Sequence, residues 1–219
     1  MSLTRAELLS DQTREDLCKQ GRGDALLSEQ ALRQSLDDTF RHWDQCSDVW
    51  LFGYGSLIWN PQITYTEKRL ATLHGYHRSL CLWSQINRGT PQNPGLVLGL
   101  EAKGSCQGMV YRIPAAAVAE EMVLIWRREM LMGFYQPTWV KVETACGECL
   151  MALTFVVRID APGYAEDLND AEVVRIMRSA KGRYGSCADY VCNTLTSLHE
   201  NNIDDANLNR ICCQYFRSE

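Results

Sequence analysis

Between Val49 and Ile159 the chain is a succession of β-like runs, most of them ended by turn residues. They read VWLFGY, KRLATLHGYHRSLCLWS, GLVLGLEA, CQGMVYRI, TWVKVETA and CLMALTFVVRI. The second run alternates and turns near Gly75. Lys103, Gly104 and Ser105 separate the third from the fourth, a hairpin signal, and Cys146 and Gly147 join the last two. Antiparallel strands in such close succession predict a barrel or a strongly curved sheet. One helix interrupts them: Pro114 precedes AAAVAEEMVLIWRREMLM. After Pro162 the pattern becomes helical, over about 165–180, 186–200 and 204–216. Ser186 followed by Asp189 fits a helix-capping pattern.

The 219 residues suffice for one large domain, or one domain with an added segment. Residues 2–44 are polar, and one amphipathic helix is expected from about Ser28 to His42, capped by Ser28. This part reads as a helical extension without chemistry of its own. A net charge of -5 argues against a nucleic-acid or acidic-membrane partner. No apolar run approaches the ~18 residues of a membrane span. The N-terminus carries no apolar secretory core, so the ten cysteines are read as reduced thiols of a cytoplasmic protein. Cys146-Gly-Glu-Cys149 reads as a hairpin turn rather than a redox or metal pair. The four histidines show no metal spacing, so no metal is expected. His77 and Cys81 lie on one strand face but about 13 Å apart, too far for a nucleophile and its base.

Four features invite a functional reading. Gly53-Tyr54-Gly55-Ser56 ends the first apolar run with almost no side chain. It lacks the third glycine of a dinucleotide fingerprint, the lysine of a phosphate loop and the pattern of a nucleophile elbow. What remains is bare main chain, able to present amides to a carboxylate or simply to pack tightly in a turn. Glu129 shares a helical stripe with Val118, Met122, Ile125, Trp126 and Met132, while Arg127 and Arg128 point elsewhere. A carboxyl buried there has a raised pKa and suits a general base; at a frayed helix end it reaches water or pairs with an arginine. Arg88, in the turn-rich INRGTPQNPG, either faces an anion or sits in a solvated loop. Tyr190, early on a late helix, reads by itself as a core aromatic.

Taken together, VWLFGYGSLIWNP, GYHRSLCLWS, RGTPQNPG, GMVYRIP, WRREMLMGFYQPTW and ADYV resemble, in order and spacing, the ChaC-type glutathione-specific γ-glutamylcyclotransferases. The resemblance spans about 49–199. One departure is Leu96, where family members often carry Arg after Pro-Gly. The resemblance implies an α+β fold: a γ-glutamylcyclotransferase-like small mixed β-barrel with flanking helices. Residues 1–46 would be a helical N-terminal extension packed on a catalytic domain of 47–219. It implies a cofactor-free carbon–nitrogen lyase. The α-amine of a γ-glutamyl group attacks its own γ-carbonyl, giving 5-oxoproline and, from glutathione, cysteinylglycine. Glu129 matches the catalytic base. Tyr54, Gly55, Ser56 and Leu57 match the loop that holds the α-carboxylate. Tyr190 matches a pocket residue at that end, and Arg88 is a candidate for the peptide carboxylate. Other γ-glutamyl donors, or a regulatory protein keeping the fold, are the alternatives.

Overall fold

The computed structural model describes residues 3–217, so the first two residues of the expected extension and the last two of the expected catalytic segment lie outside the described residues. Its centre is a closed five-stranded barrel of β1 (Val49–Gly53), β2 (Glu67–Ser84), β3 (Gly95–Ile113), β4 (Tyr135–Thr144) and β5 (Cys149–Val157). The strand order is β1-β3-β2-β4-β5, antiparallel throughout except where β1 meets β5 in parallel and closes the barrel. Both faces of β1 are buried, which is why its sequence is a continuous apolar run. Phe52 belongs to the barrel interior, whereas Val49 and Leu51 pack against the outer helix.

Two expected turns are absent. Gly75 lies inside β2, and 103–105 lie inside β3. The register shifts between His74 and Tyr76, opposite Ser105 and Ala102. Gly75, Lys103 and Gly104 all take positive φ there, so both strands kink at one level and the ladder continues. The true β2–β3 hairpin loop is 85–94, the turn-rich segment that carries Arg88. The hairpin at Cys146 and Gly147 forms as expected, with Gly147 at φ +82°.

Before the barrel come α1 (Arg5–Leu9), α2 (Gln12–Lys19), a 3-10 turn (Gly23–Ala25) and α3 (Glu29–Thr39). Ser28 caps α3 by accepting from the Ala31 amide at 3.1 Å. α1 and α2 went unanticipated, because only Leu8 and Leu17 mark their buried sides. The short helix α4 (Ser56–Trp59) follows β1, and α5 (Ala115–Glu129) lies outside the barrel. Val118, Met122, Ile125 and Trp126 of α5 pack on Leu51, Ile113, Leu153 and Phe155, each worth about 1.5–3 kcal/mol when fully buried. At the C-terminal end, α6 (Asp170–Ser179), α7 (Cys187–Glu200) and α8 (Ala206–Arg217) join the barrel core through residues such as Val174, Val191 and Ile211. A minimal ribbon, β6 (Lys181–Gly182) with β7 (Gly185–Ser186), links α6 to α7, and Ser186 and Asp189 form the expected capping box. No described helix is long and apolar enough to cross a membrane.

Candidate active site

The bare stretch after β1 is where α4 folds straight back on the strand. A Cβ at Gly53 would stand 2.8 Å from the Leu57 Cβ. A Cβ at Gly55 would stand 3.2 Å from the Tyr190 hydroxyl. Lack of side chain therefore lets α4 reverse the chain and lets Tyr190 lie against main chain. Ser56 and Leu57 open α4, so their amides have no intrahelical acceptor. The turn is clamped from behind. Arg78 is fully buried; its Nε donates to the Tyr54 carbonyl, one Nη to the Gln107 carbonyl, and the other pairs with Asp205. The Tyr111 hydroxyl donates to the Leu57 carbonyl at 2.9 Å.

Glu129 is the last residue of α5. The helix stops there rather than at Met132, with Met130 as its C-cap, and Gly133 at φ +68° turns the chain shortly after. The Glu129 side chain keeps 15% of its exposure, and its Oε1 lies 3.0 Å from Arg128 Nε. Arg127 does leave the apolar stripe, running to the Leu8 and Leu9 carbonyls. Arg128 does not. It donates to the Asn60 carbonyl at 2.6 Å, the Pro61 carbonyl at 3.1 Å and Ser56 Oγ at 2.9 Å. Its position next to Glu129 in the chain hid this role. A 100° step along a helix separates Cβ atoms, but a long arginine side chain bends back across the gap. Burial raises the Glu129 pKa, and the charge and hydrogen bond of Arg128 partly oppose the rise.

Three tyrosines surround the carboxyl. Burial, and then the Glu129 charge among other neighbours, raises the phenol pKa of Tyr54, Tyr135 and Tyr190, so all three stay protonated. Tyr135 donates to the Leu98 carbonyl at 2.7 Å, and the Tyr190 hydroxyl accepts from the Leu98 amide at 3.2 Å. The Tyr190 proton is thus left for another acceptor. Tyr54 donates to the Phe155 carbonyl at 2.8 Å inside the barrel.

A cavity of about 490 Å³ opens on this group, within the size range of small-molecule sites. Ser56, Arg88, Glu129 and Tyr190 all line it. Tyr54, Gly55 and Leu57, in the same turn as Ser56, do not line it. Arg88 is 6% exposed and no solvated loop residue. Its Nη1 donates to the Tyr184 carbonyl at 2.6 Å, and its guanidinium lies 5.7 Å from the Trp59 ring and 5.4 Å from the Tyr190 ring. It makes no ion pair with a carboxylate among the described residues, and burial lowers its pKa. This is a buried cation presented to a cavity, which favours an anionic ligand. Arg128, Tyr135 and Trp59 also line the cavity and were not singled out in the sequence. Tyr135 carried a signal, as the end of Gly-x-Tyr after Arg-Glu. Cys146 and Cys149 flank an exposed hairpin turn and do not line the cavity. Cys81 is buried, which pushes its thiol up to about 12.

The profile of the ChaC-like protein family matches residues 49–214, most of the chain and all of the cavity wall after the first helices. The chain belongs to the ChaC-like family. It is 36% identical over 161 residues to the glutathione-specific γ-glutamylcyclotransferase of Escherichia coli K12, a match covering 74% of this chain and 70% of that protein. To the human glutathione-specific γ-glutamylcyclotransferase 1 it is 27% identical over 147 residues, covering 65% and 66% of the two chains. The crystal structure of the yeast γ-glutamyl cyclotransferase specific to glutathione superposes with a TM-score of 0.73 at 22% identity, covering 78% of this chain and 96% of that one. That superposition establishes the barrel with its flanking helices as the fold of this ChaC-like chain.

Proposed function

We propose that this protein is a glutathione-specific γ-glutamylcyclotransferase, releasing 5-oxoproline and cysteinylglycine from glutathione. The observation that carries the reading is Glu129: a carboxyl with a raised pKa, on a small-molecule cavity lined also by Ser56 and a buried arginine. In this reading the α-carboxylate of the γ-glutamyl group rests on the turn at the start of α4, where Ser56 lines the cavity. Arg88 meets a substrate carboxylate with its buried charge. Glu129 takes a proton from the α-amine as nitrogen attacks the γ-carbonyl. The same carboxyl returns the proton to the departing amide nitrogen, so no proton is lost overall. The protonated Tyr190 hydroxyl lies close enough to the turn to steady the substrate head. No nucleophilic side chain is needed. Holding a flexible chain in its cyclising form can supply up to about 7–11 kcal/mol of the barrier. A cytoplasmic setting accords with ten cysteines carried as free thiols.

The test is direct. Purified protein incubated with glutathione should release cysteinylglycine and 5-oxoproline, and γ-glutamyl-alanine should be a poor donor. Glu129→Gln should lower kcat by about 10²- to 10⁴-fold, the usual worth of one positioned base, while calorimetry still detects glutathione binding. Full turnover by that variant would remove Glu129 from the mechanism.

A further inference from the structure

The N-terminal segment reads in the sequence as an extension without chemistry, and it precedes the family match. In the structure it walls the cavity: Leu3, Thr13, Asp24 and Ala25 all line it. It is fixed in place at three points. At its start, Arg5 forks onto both oxygens of Glu121 at 2.8 Å each, and the Leu3 carbonyl accepts from Asn60 at 2.8 Å. Arg127 adds bonds to the Leu8 and Leu9 carbonyls at 2.8 Å. In the middle, Arg183 reaches Asp16 at 2.6 Å and Glu7 at 3.7 Å. The Tyr184 hydroxyl there bonds Glu7 at 3.2 Å and Thr13 at 3.3 Å. At the far end, Arg22 donates to the Gln85 carbonyl at 3.3 Å, and the Leu27 amide to the Leu131 carbonyl at 3.0 Å. The segment therefore spans from α5 on one rim to the 85–88 loop and Tyr184 on the other. Leu8 and Leu17 are buried beneath it, so it is packed rather than loosely laid.

On the proposed reading, Glu129, Ser56 and Tyr190 hold the reacting head, and the leaving peptide takes the rest of the cavity, part of whose wall is this segment. Each added residue extends a peptide by about 3.3–3.6 Å. We infer that residues 3–25 form a fixed wall that limits the length of the peptide carried by the γ-glutamyl group, making this chain selective for a dipeptide leaving group. The role rests on reading the cavity as a γ-glutamyl-peptide site. It concerns which donors fit, and leaves the acid–base step to the barrel.

The experiment compares glutathione with a tetrapeptide extended by one glycine, γ-Glu-Cys-Gly-Gly, in the full-length protein, reading 5-oxoproline release. The wild type should favour glutathione in kcat/KM by at least about tenfold. In Glu7→Ala/Asp16→Ala, which loosens the middle anchors, that ratio should shrink severalfold while kcat on glutathione is kept. Ala25→Trp tests the same wall without disturbing an anchor. It should raise KM for glutathione on the order of tenfold at unchanged kcat, the mark of lost binding room. A ratio identical to wild type in the double variant, with an unchanged KM in Ala25→Trp, would overturn the wall. No 5-oxoproline from glutathione in the wild type would instead overturn the activity, and this role with it.

Discussion

Glu129 and Arg128 are chain neighbours whose side chains meet over the cavity, and the pair sets the protonation of the proposed base. Burial favours the neutral carboxyl; the guanidinium 3.0 Å away favours the anion. A base must be ionised to accept a proton, so activity is lost as pH falls through the raised Glu129 pKa. The acid limb of kcat/KM should therefore lie above the ordinary carboxylate range. Arg128→Gln removes the opposing charge, and the sign follows: the Glu129 pKa rises further and the acid limb moves to higher pH. Turnover at neutral pH falls with it. A pH–rate profile whose acid limb stays in place in this variant would show that Arg128 does not set the ionisation of the base.

Among elements, the most deeply buried link between α1 and α5 is the ion pair of Arg5 with Glu121. Glu121 is 2% exposed at its side chain, and its only cation partners among the described contacts come from Arg5. Burial alone would raise its pKa, but the Arg5 fork and hydrogen bonds from Thr64 hold it below the ordinary value. A depressed carboxylate stabilises the fold above its unfolded pKa and loses that contribution as pH falls through its folded pKa. Arg5→Ala strands the carboxylate. Breaking a fully buried pair costs about 3–5 kcal/mol, and the partial exposure of Arg5 puts the expected loss nearer 2–3 kcal/mol. Urea denaturation at neutral pH measures it. The deficit should narrow in acid, where Glu121 is protonated in both proteins.

Across the whole molecule, Arg78 ties three layers together. It sits on β2, holds the carbonyl of Tyr54 at the site turn and that of Gln107 on β3, and pairs with Asp205 ahead of α8. The C-terminal helical layer is thereby linked to the turn that carries Ser56 into the cavity wall. Arg78→Met should cost on the order of 3–5 kcal/mol in urea denaturation, as expected for one partner removed from a buried pair. Arg78→Lys should regain part of that stability yet still raise KM for glutathione, since an ammonium cannot hold two carbonyls and a carboxylate in one plane. A lysine variant with wild-type KM would separate the turn from this clamp.

Much of the barrel and its larger helices was legible in the sequence because local patterns carry them: an apolar run for β1, a 3.6-residue stripe for α5, caps at Ser28 and Ser186; the short helices α1, α2 and α4 were not. Glu129 was legible as a carboxylate on an apolar stripe, and Gly53 and Gly55 as a place where main chain must be bare. The continuous β2–β3 ribbon was not, since Gly75 and Lys103–Gly104 look alike as turns or as paired bulges until the register is known. Nor were Arg128 beside Glu129, Arg88 between two rings, or the cavity wall built from residues 3–25. Those depend on contacts between segments far apart in the chain, and a sequence fixes local preference while long-range packing decides which side chains share one cavity.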